Sequence, residues 1–122
     1  MNNKLILVVD DSRASRMLIV AIIKNELPNA SIIEASNGDE AVVLMASNKP
    51  DLAILDMNMP GMTGLELAAK IADKSPATIR TLLTANIQES TRLEAEENGV
   101  RFFKKPVSER VLKEILHLLT LG

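Results

Sequence analysis

The chain contains no cysteine, no tryptophan and no tyrosine, and Phe102 and Phe103 are its only aromatic residues. Without cysteine there is no disulfide framework, no thiolate catalysis and no zinc-thiolate site, a composition that suits a reducing compartment. Charge of one sign is also lacking, since 14 Lys and Arg oppose 16 Asp and Glu for a formal net charge of −2. That balance supplies no general attraction to nucleic acid or anionic lipid, so neither is an expected partner. No hydrophobic run is long enough to span a membrane. The stretch from Lys4 to Val9 is too short for a signal peptide and runs directly into two aspartates, which leaves a cytoplasmic location as the expectation. No glycine-rich loop follows this first apolar run. The acids that stand there repel phosphate and disfavour a flavin or dinucleotide site.

What is present is 122 residues, 47% hydrophobic and 25% charged, enough for one core and one domain over residues 1–122. Met1 and the end shortly after the last periodic segment suggest a complete protein whose output acts through the domain's own surface. Short apolar runs alternate with amphipathic ones. Strands are expected at Lys4 to Val9, Ser31 to Ala35, Asp51 to Leu55, Thr78 to Leu83 and Val100 to Lys104. Helical spacing covers roughly Ser12 to Leu27, Gly38 to Ser47, Gly64 to Asp73, Ile87 to Asn98 and Ser108 to Leu121. Strict β-α alternation in a chain of this length predicts an α/β fold, a parallel sheet with helices on both faces. The runs LILVV and LAIL are apolar at every position, as expected of strands covered on both faces, and belong in the middle of the sheet.

The polar residues fall at the carboxyl ends of these strands: Asp10 and Asp11 after the first, Asp56 after the third, Thr84 after the fourth, Lys104 and Lys105 with Pro106 after the fifth. In open α/β sheets the binding crevice lies outside the carboxyl ends of the strands, so these residues point into one basin. Neighbouring strands lie about 4.8 Å apart, which brings the Asp11 and Asp56 carboxylates within several ångströms. At an effective dielectric near 20, two unit charges about 4 Å apart repel by roughly 4 kcal/mol. A raised pKa with a shared proton would relieve this, as would a divalent cation with oxygen ligands. Three aspartates and one lysine leave two negative charges, which one Mg²⁺ neutralises. A cation, a central carboxylate, a hydroxyl and an ammonium form a plausible phosphoryl-transfer site. Asp56 is then the nucleophile, and Lys105 and Thr84 stabilise phosphoryl oxygens.

Taken singly, each residue has an ordinary explanation. Asp10 or Asp11 before Ser12 serves as a helix N-cap, and Asp56 before Pro60 and Gly61 as a turn residue. Four strands ending this way together are not predicted by caps and turns. His117 shares a helix face with Arg110, Lys113 and Glu114, the pattern of a solvated surface. Strand alternation sends Phe102 and Phe103 to opposite faces of the sheet. The last helix carries two apolar rows, Val111, Ile115 and Leu118, then Leu112, Leu116 and Leu119. The second row meets a partner or widens the buried stripe. The fourth helix is acidic, with Glu89, Glu94, Glu96 and Glu97 against Arg92.

The pieces VVDD at Val8 to Asp11, EASNGDEA at Glu34 to Ala41, DMNMPGMTG at Asp56 to Gly64, TA at Thr84 and KP at Lys105 together resemble the receiver domain of two-component response regulators, the group that includes single-domain chemotaxis receivers. They span essentially the whole chain. The resemblance implies a flavodoxin-like (βα)5 doubly wound sheet of strand order 2-1-3-4-5. It further implies that Asp56 accepts a phosphoryl group from a phosphohistidine on a sensor histidine kinase or histidine phosphotransfer protein. Mg²⁺ is then bound by Asp11, Asp56 and the backbone carbonyl of Asn58, with Asp10 positioning the ion through water. Thr84 and Phe102 are implied as the switch pair, with Lys105 aimed into the site by a cis bond to Pro106. An output protein binds at the surface of the fourth helix, fifth strand and fifth helix, and a phosphorylation-linked dimer is compatible with the family.

Phe102 stands where many relatives have tyrosine, so a step needing a switch hydroxyl is excluded. The acidic fourth helix departs from motor-binding chemotaxis members and speaks against direct flagellar-switch binding. Two other functions compete: a phosphorylation-independent interaction module, which would have lost a site residue, and a metal-dependent aspartyl phosphatase, which would carry D-x-D after the first strand. The resemblance implies a phosphoacceptor that catalyses its own phosphorylation and dephosphorylation and is not otherwise an enzyme.

Overall fold

In the computed structural model, which describes residues 3–120, five parallel strands form one sheet in the order β2-β1-β3-β4-β5. The strands are β1 (Leu5–Val9), β2 (Ser31–Ala35), β3 (Leu52–Leu55), β4 (Ile79–Thr84) and β5 (Arg101–Lys104). Between and after them run α1 (Arg13–Glu26), α2 (Gly38–Met45), α3 (Gly64–Lys74), α4 (Glu89–Glu97) and α5 (Glu109–His117), which closes with a 3-10 turn at Leu118–Thr120. The flavodoxin-like order is therefore present, with the two all-apolar strands β1 and β3 inside the sheet.

Alternation along the strands divides the core into two layers. Ile6 and Val8 of β1 and Ile54 of β3 face α1 and α5, where they meet Ile19, Ile23, Leu112 and Ile115. Leu7, Val9 and Leu55 face the other way, toward Leu67, Ala68 and Ile71 of α3 and Ala95 of α4. Phe102 and Phe103 obey the same alternation, Phe102 packing on the α3–α4 side and Phe103 on the α1–α5 side. On α5 both apolar rows are covered to different degrees: Leu112, Ile115, Leu116 and Leu118 are buried, and Val111 and Leu119 half-buried. The second row thus widens the packed stripe.

Several boundaries differ from the periodic pattern, each for a local reason. Ser12, and neither aspartate, is the N-cap of α1, its side chain accepting from the Ser15 N–H. The fourth helix starts at Glu89 and leaves Ile87 in the preceding loop, packed on the α3–α4 layer. Thr84 is the last residue of β4, paired in register with Lys104. The second helix stops at Met45, two residues before Ser47. The expected end of the last helix at Leu121 lies outside the described residues. Among the described residues, no helix is long and apolar enough to cross a membrane.

Candidate functional site

Backbone bonds carry two aspartates just past the strand ends. The Asp10 N–H donates to the Ala35 carbonyl at 3.2 Å, and the Asp56 N–H to the Val9 carbonyl at 2.9 Å. Both side chains are buried, while Asp11 is exposed at the rim. Asp10, Asp11 and Asp56 each offer a carboxylate oxygen, and these oxygens lie within 4.8 Å of one another. On β4 the Thr84 side chain is fully buried. Its carbonyl accepts the Lys105 N–H at 2.9 Å, which sets the lysine beside the threonine, and the Lys105-Pro106 peptide is cis.

Two further features shape the loop after Asp56. Gly64, the first residue of α3, approaches so closely that a Cβ there would stand 2.3 Å from the Asp56 carbonyl oxygen. The helix is anchored by a capping box, in which Thr63 Oγ1 accepts from the Glu66 N–H and the Glu66 carboxylate accepts from the Thr63 N–H.

The electrostatics follow from this crowding. Lys105 Nζ donates to Asp10 Oδ2 at 2.9 Å and lies 3.9 Å from Asp56 Oδ2, so the ammonium chiefly neutralises Asp10. Asp10 Oδ1 accepts the Ser12 N–H at 2.8 Å, which satisfies the other oxygen. Asp56 has no such close cation. Burial raises its pKa, the Asp10 charge raises it further, and Lys105, the Thr84 hydroxyl and the Asn58 backbone N–H oppose the shift. The donor set contains hard carboxylate oxygens with no nitrogen or sulfur, which suits Mg²⁺ or Ca²⁺. Lys105 already occupies Asp10, which leaves Asp11 and Asp56 as the carboxylates with charge to spare for a cation.

The structure thus brings together Asp10, Asp11, Asp56, Thr84 and Lys105, while Phe102 stands back from the acids. Phe102 pairs in register with Leu82, two residues before Thr84, and is half-buried. His117 is exposed on α5, its ring Nδ1 3.3 Å from Thr120 Oγ1, and lies outside the site.

Three residues near the site were not singled out by their side chains. Ser15 Oγ accepts from Lys105 Nζ at 3.4 Å, and Arg16 donates to the Asp10 carbonyl at 2.6 Å. Their position in the first turn of a helix capped beside Asp11 was the available signal. Asn58 Nδ2 donates to Thr84 Oγ1 at 3.4 Å and to the Asn86 carbonyl at 2.9 Å. Partners 26 and 28 residues away leave no local trace in sequence.

Comparison with known proteins agrees with this geometry. The family model described as response regulator receiver domain matches residues 6–117. The chain is 36% identical over 112 residues to the chemotaxis protein CheY of Listeria monocytogenes, covering 90% of this chain and 93% of that protein. It is 39% identical over 110 residues to the transcriptional regulatory protein ResD of Bacillus subtilis, covering 89% of this chain and 45% of ResD. The chain spans less than half the length of several curated relatives that it matches. In fold, it is similar to the CheY-like receiver domain protein of Methanospirillum hungatei, with a TM-score of 0.90 over 98% of this chain and 96% of that one at 24% identity. An acid-lined carboxyl edge on a sheet of this order, together with a family match over nearly its whole length, makes the chain a member of the response regulator receiver domain family.

Proposed function

We propose that the chain works in a phosphorelay, taking a phosphoryl group from a phosphohistidine onto Asp56 in a Mg²⁺-dependent reaction and thereby switching partner binding. Receiver domains are phosphoacceptors of two-component systems and interact with histidine kinases and output proteins. The observation that carries the proposal for this chain is the meeting of Asp56 with two further carboxylates and Lys105 at one edge of the sheet.

An oxygen of the Asp56 carboxylate attacks phosphorus, forming an O–P bond as the P–N bond of the donor breaks. The released imidazole keeps the bonding pair and takes a proton from solvent. No general base is needed for an ionised carboxylate. Lys105, already 3.9 Å from Asp56 Oδ2, moves onto a phosphoryl oxygen, and the Thr84 hydroxyl donates to another. Asp11, Asp56 and the Asn58 backbone carbonyl would hold Mg²⁺, with Asp10 positioning it through water. When bound, the ion supplies positive charge against the phosphoryl oxygens.

A phosphoaspartate adds close to two negative charges and three strong acceptors, and the new bonds form only if Thr84 and Lys105 close in. Phe102, on the same sheet side as Leu82, then fills space toward Thr84 and alters the surface of α4, β5 and α5. Typical coupling of about 1 to 3 kcal/mol changes partner affinity roughly 5- to 150-fold. The test is incubation with a small acyl phosphate, with and without Mg²⁺, followed by intact mass. A Mg²⁺-dependent gain of one phosphoryl mass, absent from Asp56→Asn, is expected. A gain retained by Asp56→Asn would reject Asp56 as the acceptor.

A further inference from the structure

Asn58 touches three parts of the molecule at once. Its backbone N–H favours the charged form of Asp56, and its side-chain amide donates to Thr84 Oγ1 and to the Asn86 carbonyl. The amide nitrogen has two hydrogens, so both bonds form together. Thr84 has one hydroxyl hydrogen. Accepting from Asn58 commits an oxygen lone pair and leaves that hydrogen free to donate.

The third contact reaches the approach to α4. Gln88, the N-cap of α4, makes no side-chain capping bond. Among the described residues, Asn58 is the one side chain from another element that hydrogen-bonds to residues 85–88. The far end of α4 is held differently. Arg80 donates to the Asn98 carbonyl at 2.7 Å and to the Ala68 carbonyl of α3 at 3.1 Å, and Ala95 is fully buried. The helix is therefore pinned at its C-terminal end, while its entry is held by the packing of Ile87 and by one amide hydrogen bond.

We infer that the Asn58 side-chain amide is a positioning group that couples the acceptor site to the start of α4. It holds the Thr84 hydroxyl oxygen and the Asn86 carbonyl together. When Thr84 engages a phosphoryl oxygen, the shared amide must readjust, and the first turn of α4 moves with it. This rests on the proposal that Asp56 is phosphorylated, and it assigns the side chain a task separate from the metal-binding role proposed for the backbone carbonyl.

Solution NMR on the whole chain tests the coupling, in wild type and in Asn58→Leu, a side chain of similar size with no N–H to donate. In wild type, Mg²⁺ with beryllium fluoride, a phosphoryl mimic, is expected to shift the Asn58 side-chain amide together with the backbone amides of Ile87, Gln88 and Glu89. In Asn58→Leu the shifts of these three, relative to that of Met57, fall to about half or less of the wild-type ratio. The Arg92 amide, bonded to the Gln88 carbonyl at 3.0 Å, reports the first turn without any ligand. Its exchange with water is expected to be roughly five-fold faster in Asn58→Leu, the effect of one ordinary hydrogen bond. Unchanged exchange with unchanged relative shifts would overturn the role of Asn58 and leave the phosphoacceptor reading standing. A variant that does not take up the mimic is decided by Arg92 exchange alone, faster exchange supporting the coupling and equal exchange overturning it. A wild type that shifts nowhere on adding the mimic overturns both proposals.

Discussion

Asp56 carries its charge in a place that resists it. Burial is the main cause of its raised pKa and the Asp10 carboxylate the second. The folded state therefore binds the Asp56 proton more tightly than the unfolded chain does, so ionisation at neutral pH costs stability. That cost is relieved as pH falls through the folded pKa toward the ordinary aspartate value. In metal-free buffer, Asp56→Asn is expected to melt at the same or a higher temperature than wild type at neutral pH, with the difference shrinking on acidification toward about pH 4. A thermal melt series across that range checks it, and a clear loss for Asp56→Asn at neutral pH would contradict the crowded-carboxylate account. The acids themselves were readable from their place after apolar runs. Which of them Lys105 neutralises was not, because 2.9 Å to Asp10 against 3.9 Å to Asp56 is set by how the lysine after edge strand β5 reaches past β4 to the ends of β1 and β3.

Among the elements, α3 has a direct hold on Asp56, since its first residue packs against the Asp56 carbonyl and its N-cap closes the loop between them. Removing the cap in Thr63→Ala is expected to lower stability by about 1 kcal/mol, read as a drop of about 4 °C in melting temperature. The Glu66 side of the box is held below the usual glutamate range by the Thr63 N–H and hydroxyl. Its contribution is therefore present above that range and fades as pH falls through the lowered value. The element types follow from periodicity: apolar runs of strand length bounded by polar residues, then amphipathic segments. Their ends do not, because periodicity does not report which side chain caps a helix. Ser12 took the cap that the neighbouring aspartates also offered, and Ile87 was drawn off α4 into the apolar layer beneath the loop. The second apolar row of α5 was equally open in sequence, since covering by the sheet and covering by a partner demand the same residues.

For the whole molecule, the sheet order places β1 and β3 side by side, so loops from distant parts of the chain share one edge. If the acids there hold Mg²⁺ only when folded, the ion stabilises by mass action, by about 2.7 kcal/mol at a hundredfold excess over its dissociation constant. The melting temperature of wild type is expected to rise with Mg²⁺, and the rise to shrink in Asp11→Asn. An undiminished rise in that variant would place the ion elsewhere. By itself the sequence determined the α/β class, the two covered strands, the alternation that separates Phe102 from Phe103, and the list of polar strand ends, because each depends on neighbours within a few residues. Only the tertiary structure decided that Lys105 rests on Asp10, that Gly64 must be bare beneath Asp56, and that Asn58 joins Thr84 to Asn86. Those contacts join segments brought together by strand pairing and crossover, and their distances exist only once the sheet has closed.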